Sequence, residues 1–288
     1  MKEELYNKLQ ELSGLIPNNI NVIDEAIDID LQMKYFDRSK SLKESNIKNP
    51  VTFDDVCNLY DESLTTEQLK DRLILLSGID DPKAYRILEE YAGNKQNALH
   101  QWALMAFHEN KMLLEGSLLN EQQVFVSTGL GGRNNMLRYF VAFMGKNAEG
   151  FAPYQQSMIS SELETATRNN KSELENIEFR EQFVLMKLLF PLDVAFHKVL
   201  ASVVKECNQY GDFLHKDFLV TNVREFTVDD LRKFVEDNAF GNNGEPDIDI
   251  VGKGCLPDIN LDDIDFENLF GSGGGGLFDD DEDDDDDE

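Results

Sequence analysis

The glycine-rich segment at residues 129–135 is the part of the sequence best suited to bind an anion. Gly129, Gly131 and Gly132 carry no side chains that would screen their backbone N–H groups, and Arg133 follows them directly. A strand that runs into a glycine turn and then a helix is how phosphate-binding loops are built. The pattern is incomplete, because asparagine stands at the last glycine of GxGxxG and no GK[ST] follows. Glycine and asparagine also serve in hairpins that bind nothing, so both interpretations stay open.

The other residue types that could catalyse a reaction or bind a metal are scattered. Four histidines and three cysteines have no metal-ligand spacing, and the serines lie in no GxSxG motif: His100, His108, His197, His215, Cys57, Cys207 and Cys255. The odd cysteine count and the lack of a CxxC pair also argue against a disulfide framework. We therefore predict a non-enzymatic protein that uses no metal and no cofactor.

The end of the sequence carries most of the net charge. Residues 241–288 contain 18 acidic residues and one basic residue, 1 − 18 = −17 of the total of −29. Ten of these acids are consecutive and follow a Gly-Ser stretch at residues 271–276: Asp279, Asp280, Asp281, Glu282, Asp283, Asp284, Asp285, Asp286, Asp287 and Glu288. A block of like charge stays solvated or meets a basic surface, so it is either a solubilising brush or a tether for a basic partner.

Apolar residues are interspersed with acids just before this block. Ile264, Phe266, Leu269 and Phe270 alternate with aspartate and glutamate, and Leu277 and Phe278 directly precede the ten acids. We interpret the first group as a docking segment that binds either the chain's own domain or a groove on a partner. The second group adds a further anchor, and the acids would then act close to it.

Local patterns predict helices first and a mixed domain afterwards. Helices are expected at residues 3–13, 22–36, 53–62, 66–77, 82–92 and 97–110, from apolar spacing, caps and breakers. After residue 120 we predict strands at 122–127, 136–144, 177–190 and 213–226, with helices at 153–168, 194–210 and after Thr227. The predicted fold class is α+β, in which a sheet of about four strands has helices over one face.

One stretch of the helical part resembles a HEAT-type repeat. Asp80, Asp81 and Pro82 open a helix, a short turn with Asn94 follows, and Trp102 and Ala103 lie in the next helix. The resemblance covers about one repeat well and the preceding segment, residues 53–79, loosely, within residues 52–110. It implies a helical packing unit with a concave, protein-binding surface. It implies little about function, because folds of this kind serve many roles.

The sequence therefore predicts four regions. A helical-repeat module spans residues 1–115, an α+β domain 120–240, a docking segment 241–270, and a Gly-Ser linker with the acidic tail 271–288. No apolar stretch reaches the roughly 18 residues that a membrane span needs, and no signal-peptide pattern opens the chain, so we predict a cytoplasmic protein with no membrane partner.

The predicted function is that of an adaptor or regulatory protein that binds a basic protein or ribonucleoprotein surface through its acidic arm. The excess of acid argues against direct binding of duplex nucleic acid. Two alternatives remain. The protein is a ribosome- or RNA polymerase-associated factor whose tail mimics phosphate, or it binds or converts a phosphorylated small molecule at residues 129–135.

Overall fold

The computed structural model describes residues 20–48, 50–120 and 123–238. The predicted helix at residues 3–13, the docking segment 241–270 and the acidic tail 271–288 lie outside these residues. The described chain has a helical first half and a second half built on an antiparallel sheet, so the predicted mixed α+β class is confirmed. None of the described helices is long and apolar enough to cross a bilayer.

The first half contains one short strand and five helices. They are β1 (Ile20–Val22), α1 (Ile29–Lys48), α2 (Phe53–Val56), α3 (Thr66–Ser77), α4 (Pro82–Gly93) and α5 (His100–Leu119). The starts predicted for α3 and α4 are confirmed. Thr65 forms a capping box with Gln68, and the Asp81 side chain accepts a hydrogen bond from the backbone N–H of Lys83.

Three predicted helix bounds in this half are wrong. The helix expected at residues 22–36 begins at Ile29, because the chain before it pairs as strand β1, and it continues to Lys48. The helix expected at 53–62 ends at Val56, where the side chains of Asn58 and Asp61 accept hydrogen bonds from backbone N–H groups two residues ahead and favour turns. The last helix extends beyond residue 110 to Leu119.

The second half contains six strands and three helices. They are β2 (Val124–Val126), β3 (Gly132–Arg133), β4 (Met136–Gly145), α6 (Pro153–Asn169), β5 (Glu173–Arg180), β6 (Phe183–Pro191), α7 (Phe196–Asn208), β7 (Leu214–Thr221) and α8 (Val228–Asn238). The predicted capping residues of α8 are in place, since Thr227 and Asp230 exchange backbone and side-chain hydrogen bonds.

The main sheet has five strands, all antiparallel, in the order β5–β6–β4 with β7 on the other edge of β4. The two-residue strand β3 pairs with the beginning of β4 on the same edge as β7. From β4 to β7 the chain follows a β-α-β-β-α-β path, which is the ferredoxin-like arrangement. The helices cover both faces, not one as predicted: α6 and α7 pack on one face and α8 on the other.

Two strand predictions are also wrong, one in the extent of the strand and one in its pairing. The run at residues 177–190 is not one strand but β5 and β6, separated by a turn in which Glu181 has a positive φ of 55°. The segment at 122–127 does not form a hairpin with β4; β2 instead pairs in parallel with β1. The hairpin is made by β3 and β4 through Asn134 and Asn135, both at positive φ, as a tight two-residue turn requires.

The glycines of residues 129–132 lie where the two halves of the chain meet. A Cβ atom at residue 129 would stand 1.8 Å from the carbonyl oxygen of Val223, and one at residue 131 would stand 2.4 Å from that of Asp24. Backbone hydrogen bonds follow the same contacts: Gly132 N–H donates to Asp24 O at 3.2 Å and Leu130 N–H to Asn222 O at 3.0 Å. Glycine is required here because backbone touches backbone.

We predict that Gly129→Ala lowers the free energy of unfolding by about 3 kcal/mol, because the new methyl group must displace the backbone of Val223. The matched control is Gly93→Ala at the end of α4, where a Cβ would meet nothing within 4 Å. That change should be neutral or stabilise by about 0.5 kcal/mol. Urea denaturation of both variants measures the difference, and equal stabilities would contradict the close contact at residue 129.

Candidate functional site

The arginine of the predicted anion site is paired with carboxylates. Arg133 forms an ion pair with Glu173, and its Nη1 lies 3.5 Å from Glu175. The neighbouring Arg138 binds Glu175 through two hydrogen bonds of 2.5 and 3.0 Å. This contact lowers the pKa of Glu175 and raises that of Arg138.

An anion at residues 129–133 would therefore have to displace Glu173 and Glu175. The three glycines serve close backbone packing, and Arg138 also donates to the carbonyl oxygen of Leu130 at 2.8 Å. Anion binding at Gly129, Gly131, Gly132 and Arg133 stays a prediction, and the local charges oppose it. The predicted partner-binding residues 264–288 lie outside the described chain.

No group of three or more His, Cys, Asp or Glu side chains within residues 20–48, 50–120 and 123–238 is placed to hold a metal ion. Burial raises the pKa of the Cys207 thiol to about 11, so the thiolate that a nucleophile needs is disfavoured at neutral pH. His100 contacts Glu25 at 2.9 Å, between α5 and the segment before α1. His108 packs against the rings of Phe107 and Phe125.

The structure instead shows an open cleft beside Trp102, with a volume of about 390 Å³. It lies between the beginning of α1, the middle of α3 and the beginning of α5. Apolar atoms form most of its surface. Its lining residues are Asp28, Leu31, Lys34, Lys70, Ala98, Leu99 and Trp102. We call this feature the Trp102 cleft.

Trp102 is fixed in place by contacts from α1 and α3. Its indole N–H donates to the carbonyl oxygen of Lys70 at 3.3 Å, and the Lys70 ammonium lies 5.0 Å from the ring centroid. The Tyr35 ring meets Trp102 edge-on, with centroids 5.2 Å apart. An ammonium over an indole face is a favourable arrangement, so Lys70 and Trp102 form one wall of the cleft together.

The charged groups at the cleft are two ammonium groups and one carboxylate. Asp28 caps α1, because its side chain accepts a hydrogen bond from the backbone N–H of Leu31 at 2.9 Å. The Lys70 ammonium also forms an ion pair with Glu67 at 2.9 Å. Lys34 is exposed and has no ion-pair partner among the described residues. A cleft with apolar walls and free positive charge at its rim suits an apolar group that is attached to an anion.

A hydrogen-bond network around the Glu109 carboxylate, whose side chain is 14% exposed, connects the three helices that border the cleft. Tyr35 Oη and Ser77 Oγ donate to Glu109 Oε2 at 2.6 and 2.7 Å, and Lys43 Nζ lies 2.5 Å from Oε1. Ser39 also donates to Oε1, at 3.3 Å. Burial, followed by the Glu109 charge, raises the pKa of Tyr35 well above its usual value, so the phenol stays protonated and donates.

Sequence reasoning missed this cleft. Trp102 was assigned to helix packing, and Lys34 and Lys70 carry no motif. The lining residues come from segments that are up to 74 positions apart, from Asp28 to Trp102. Residue type gave no signal either, because Trp102 is 4% exposed and belongs to the helical core, with only part of its ring at the cleft.

Comparisons with known proteins add little. Neither a protein-family model nor the sequence of a curated protein matches this chain. Among solved structures, the chain is similar to the crystal structure of a putative transposase from Deinococcus radiodurans R1, with a TM-score of 0.31 and 18% identity. The match covers 37% of this chain and 95% of the other. At this score the likeness carries no argument about function.

We predict that Glu109→Ala lowers the free energy of unfolding by about 3 kcal/mol, because it leaves the buried Tyr35 and Ser39 hydroxyl groups without their acceptor, whereas Ser77 still donates to Ile74 O. Glu115→Ala on the same helix is the control. Its carboxylate lies 3.8 Å from Lys111 at the surface, so its loss should cost about 0.5 kcal/mol or less. Urea denaturation tests both, and a loss below about 1 kcal/mol for Glu109→Ala would mean that the network contributes little.

We also predict a pH dependence from His108. Burial lowers its pKa to about 4, so the folded state holds the ring neutral. The neutral His108 ring makes its full contribution to the free energy of unfolding above the unfolded pKa of about 6.5. This contribution is lost as the pH falls through 4. Between pH 7 and pH 5 the free energy of unfolding of the protein should fall by about 2 kcal/mol more than that of a His108→Gln variant. Urea denaturation at both pH values measures this, and equal losses would show that the ring titrates normally.

Proposed function

We propose that this chain is a non-enzymatic adaptor that recruits a basic protein surface through residues 277–288. The observation that carries the proposal is the unbroken run of ten acids at residues 279–288 behind the apolar pair Leu277 and Phe278. Acids at high density speed the encounter with a basic partner, and apolar side chains slow its release. A single segment then supplies both steps of recognition.

The charges of the folded part support this proposal. Seven of the nine arginines in the sequence form ion pairs with acidic side chains: Arg38, Arg86, Arg133, Arg138, Arg180, Arg224 and Arg232. Most of the arginines of the described domain are therefore already neutralised. Few of them are left to compete with another molecule for the acids at residues 279–288.

The helical half would serve as the second part of the adaptor. α2 with α3 and α4 with α5 follow each other as two helical pairs, and all of them contribute to one apolar core. We propose that these pairs act as a HEAT-like, protein-binding module within residues 1–115. A cytoplasmic location is part of the same proposal, since Cys57 and Cys207 are free thiols, as a reducing compartment favours.

The test compares the full chain with a variant in which the acids at residues 279–288 are changed to Asn and Gln, so that length is kept. Both are purified from native cells at low salt, and mass spectrometry identifies the retained proteins. We expect the full chain to retain one basic protein or ribonucleoprotein at least about tenfold better than the variant, because the acids attract it. The complex should dissociate at about 0.5 M salt, where charges are screened.

Equal recovery of the same proteins by both chains would contradict this function and leave the tail as a solubilising brush. Recovery of a ribosome or an RNA polymerase would identify the arm as a phosphate mimic. Thermal stabilisation of the variant and the full chain by a nucleotide would favour the third alternative, a small-molecule site at residues 129–135.

A further inference from the structure

The Trp102 cleft has the shape and charge of a binding site for a short peptide. Its volume of about 390 Å³ lies within the range of roughly 300–1,000 Å³ that is usual for ligand sites. Leu31, Leu99 and Trp102 form apolar walls, and Lys34 and Lys70 stand at the rim. An occupant that matches this arrangement carries a bulky apolar side chain followed at once by carboxylates.

We propose that this occupant is the chain's own segment at residues 277–280, with Leu277 and Phe278 in the cleft and Asp279 and Asp280 near Lys34 and Lys70. In this segment the aromatic residue is directly followed by acids. The ring can therefore contact the apolar wall of the cleft while the carboxylates reach the lysines at its rim. The segment at residues 264–270 places acids between its apolar residues, and the helix predicted at residues 3–13 carries three leucines with both signs of charge. Both fit the cleft less well.

The arm is long enough to reach the cleft. The described chain ends at Asn238 in α8, and residues 239–276 precede Leu277. A chain of this length reaches at most about 125 Å when fully extended. A folded domain of the size described here has a radius of gyration of about 17 Å. The tether therefore allows docking anywhere on the surface, at an effective concentration on the order of millimolar.

The cleft combines positive charge with apolar walls. Lys34 is exposed and unpaired among the described residues, and unlike the exposed lysines Lys40 and Lys83 it lines this cleft. The cleft also adjoins the N-terminal ends of α1 and α5, and Leu99 at the start of α5 offers no side-chain cap. The positive ends of the helix dipoles add to the attraction for carboxylates. The docked arm would be sequestered until a basic surface competes for its acids.

This inference goes beyond the adaptor function and does not require that a basic partner exists. Trp102 is the only tryptophan in the chain, so its fluorescence reports directly on the cleft. The experiment compares the full chain with a full-length Leu277→Ser, Phe278→Ser variant. The indole ring is 4% exposed and only part of it borders the cleft, so we expect the variant to show a red-shifted emission and a small increase in quenching by acrylamide, because water replaces the apolar side chains beside the ring.

A synthetic peptide of residues 277–288 is then added to this variant. It should restore the emission of the full chain, whereas the same peptide with Ser in place of Leu277 and Phe278 should not. Lys34→Glu in the full chain should reproduce the effect of the double variant. The matched control is Lys40→Glu, an exposed lysine of the same helix that does not line the cleft, which should leave the emission unchanged.

Identical emission and quenching in the full chain and the double variant would overturn the proposal. It would also be overturned if the serine peptide worked equally well, since the acids alone would then account for binding. An effect that depends on protein concentration would assign the cleft to the arm of a second copy instead. A response to Leu5→Ser, Leu9→Ser that exceeds that of the double variant would assign it to the N-terminal segment. No basic partner is present, so these results are independent of the recovery experiment.

Discussion

Direct contact between backbone atoms at residues 129–132 joins the two halves of this molecule. The segment between β2 and β3 lies against the chain that follows β1 on one side and against the end of β7 on the other. Both approaches depend on the absence of a Cβ atom. The helical half and the sheet half are thus connected by a backbone-to-backbone contact. Glycine has no side chain there that could change its rotamer to absorb a displacement, so we expect this contact to be rigid. The glycines that suggested a binding loop have a sufficient structural role.

Carboxylates with several partners are found in both halves of the molecule. Arg138 and Glu175 form a bidentate pair on the sheet, and Glu109 gathers three hydroxyl groups and an ammonium between the helices. The first pair explains why an arginine beside a glycine turn need not bind an anion. The second explains how three helices with modest apolar faces hold one arrangement, since a largely enclosed carboxylate tolerates few alternatives once its donors are in place.

Local signals in the sequence predicted local structure well. The caps at Thr65 and Asp81 and the turn at Asn94 set the bounds of α3 and α4, and Thr227 with Asp230 set the start of α8. Pairing over long distances was not predictable in the same way. A three-residue strand such as β1 carries no periodicity, and its partner lies beyond five helices. The polar turn at Glu181 was overlooked within an apolar run.

The candidate site also consists of a part that the sequence predicts and a part that it does not. Composition alone indicated the acidic arm, because charge density is a property of sequence. The cleft could not be predicted, because its walls come from three helices whose relative placement depends on contacts such as that of Tyr35 with Glu109, 74 residues apart. Trp102 is a buried core residue, and no sequence pattern linked it to Lys34 or Lys70.

The parallel pairing of β1 with β2 has a consequence for biosynthesis. Ile20 pairs with Val124, so the first strand is made 104 residues before its partner. At a translation rate of about 5–20 residues per second, this strand waits roughly 5–20 seconds with its hydrogen-bonding edge unpaired. The five helices between them contact one another, so these contacts can form during this interval. The helical half can therefore assemble before the pairing of β1 with β2 closes it.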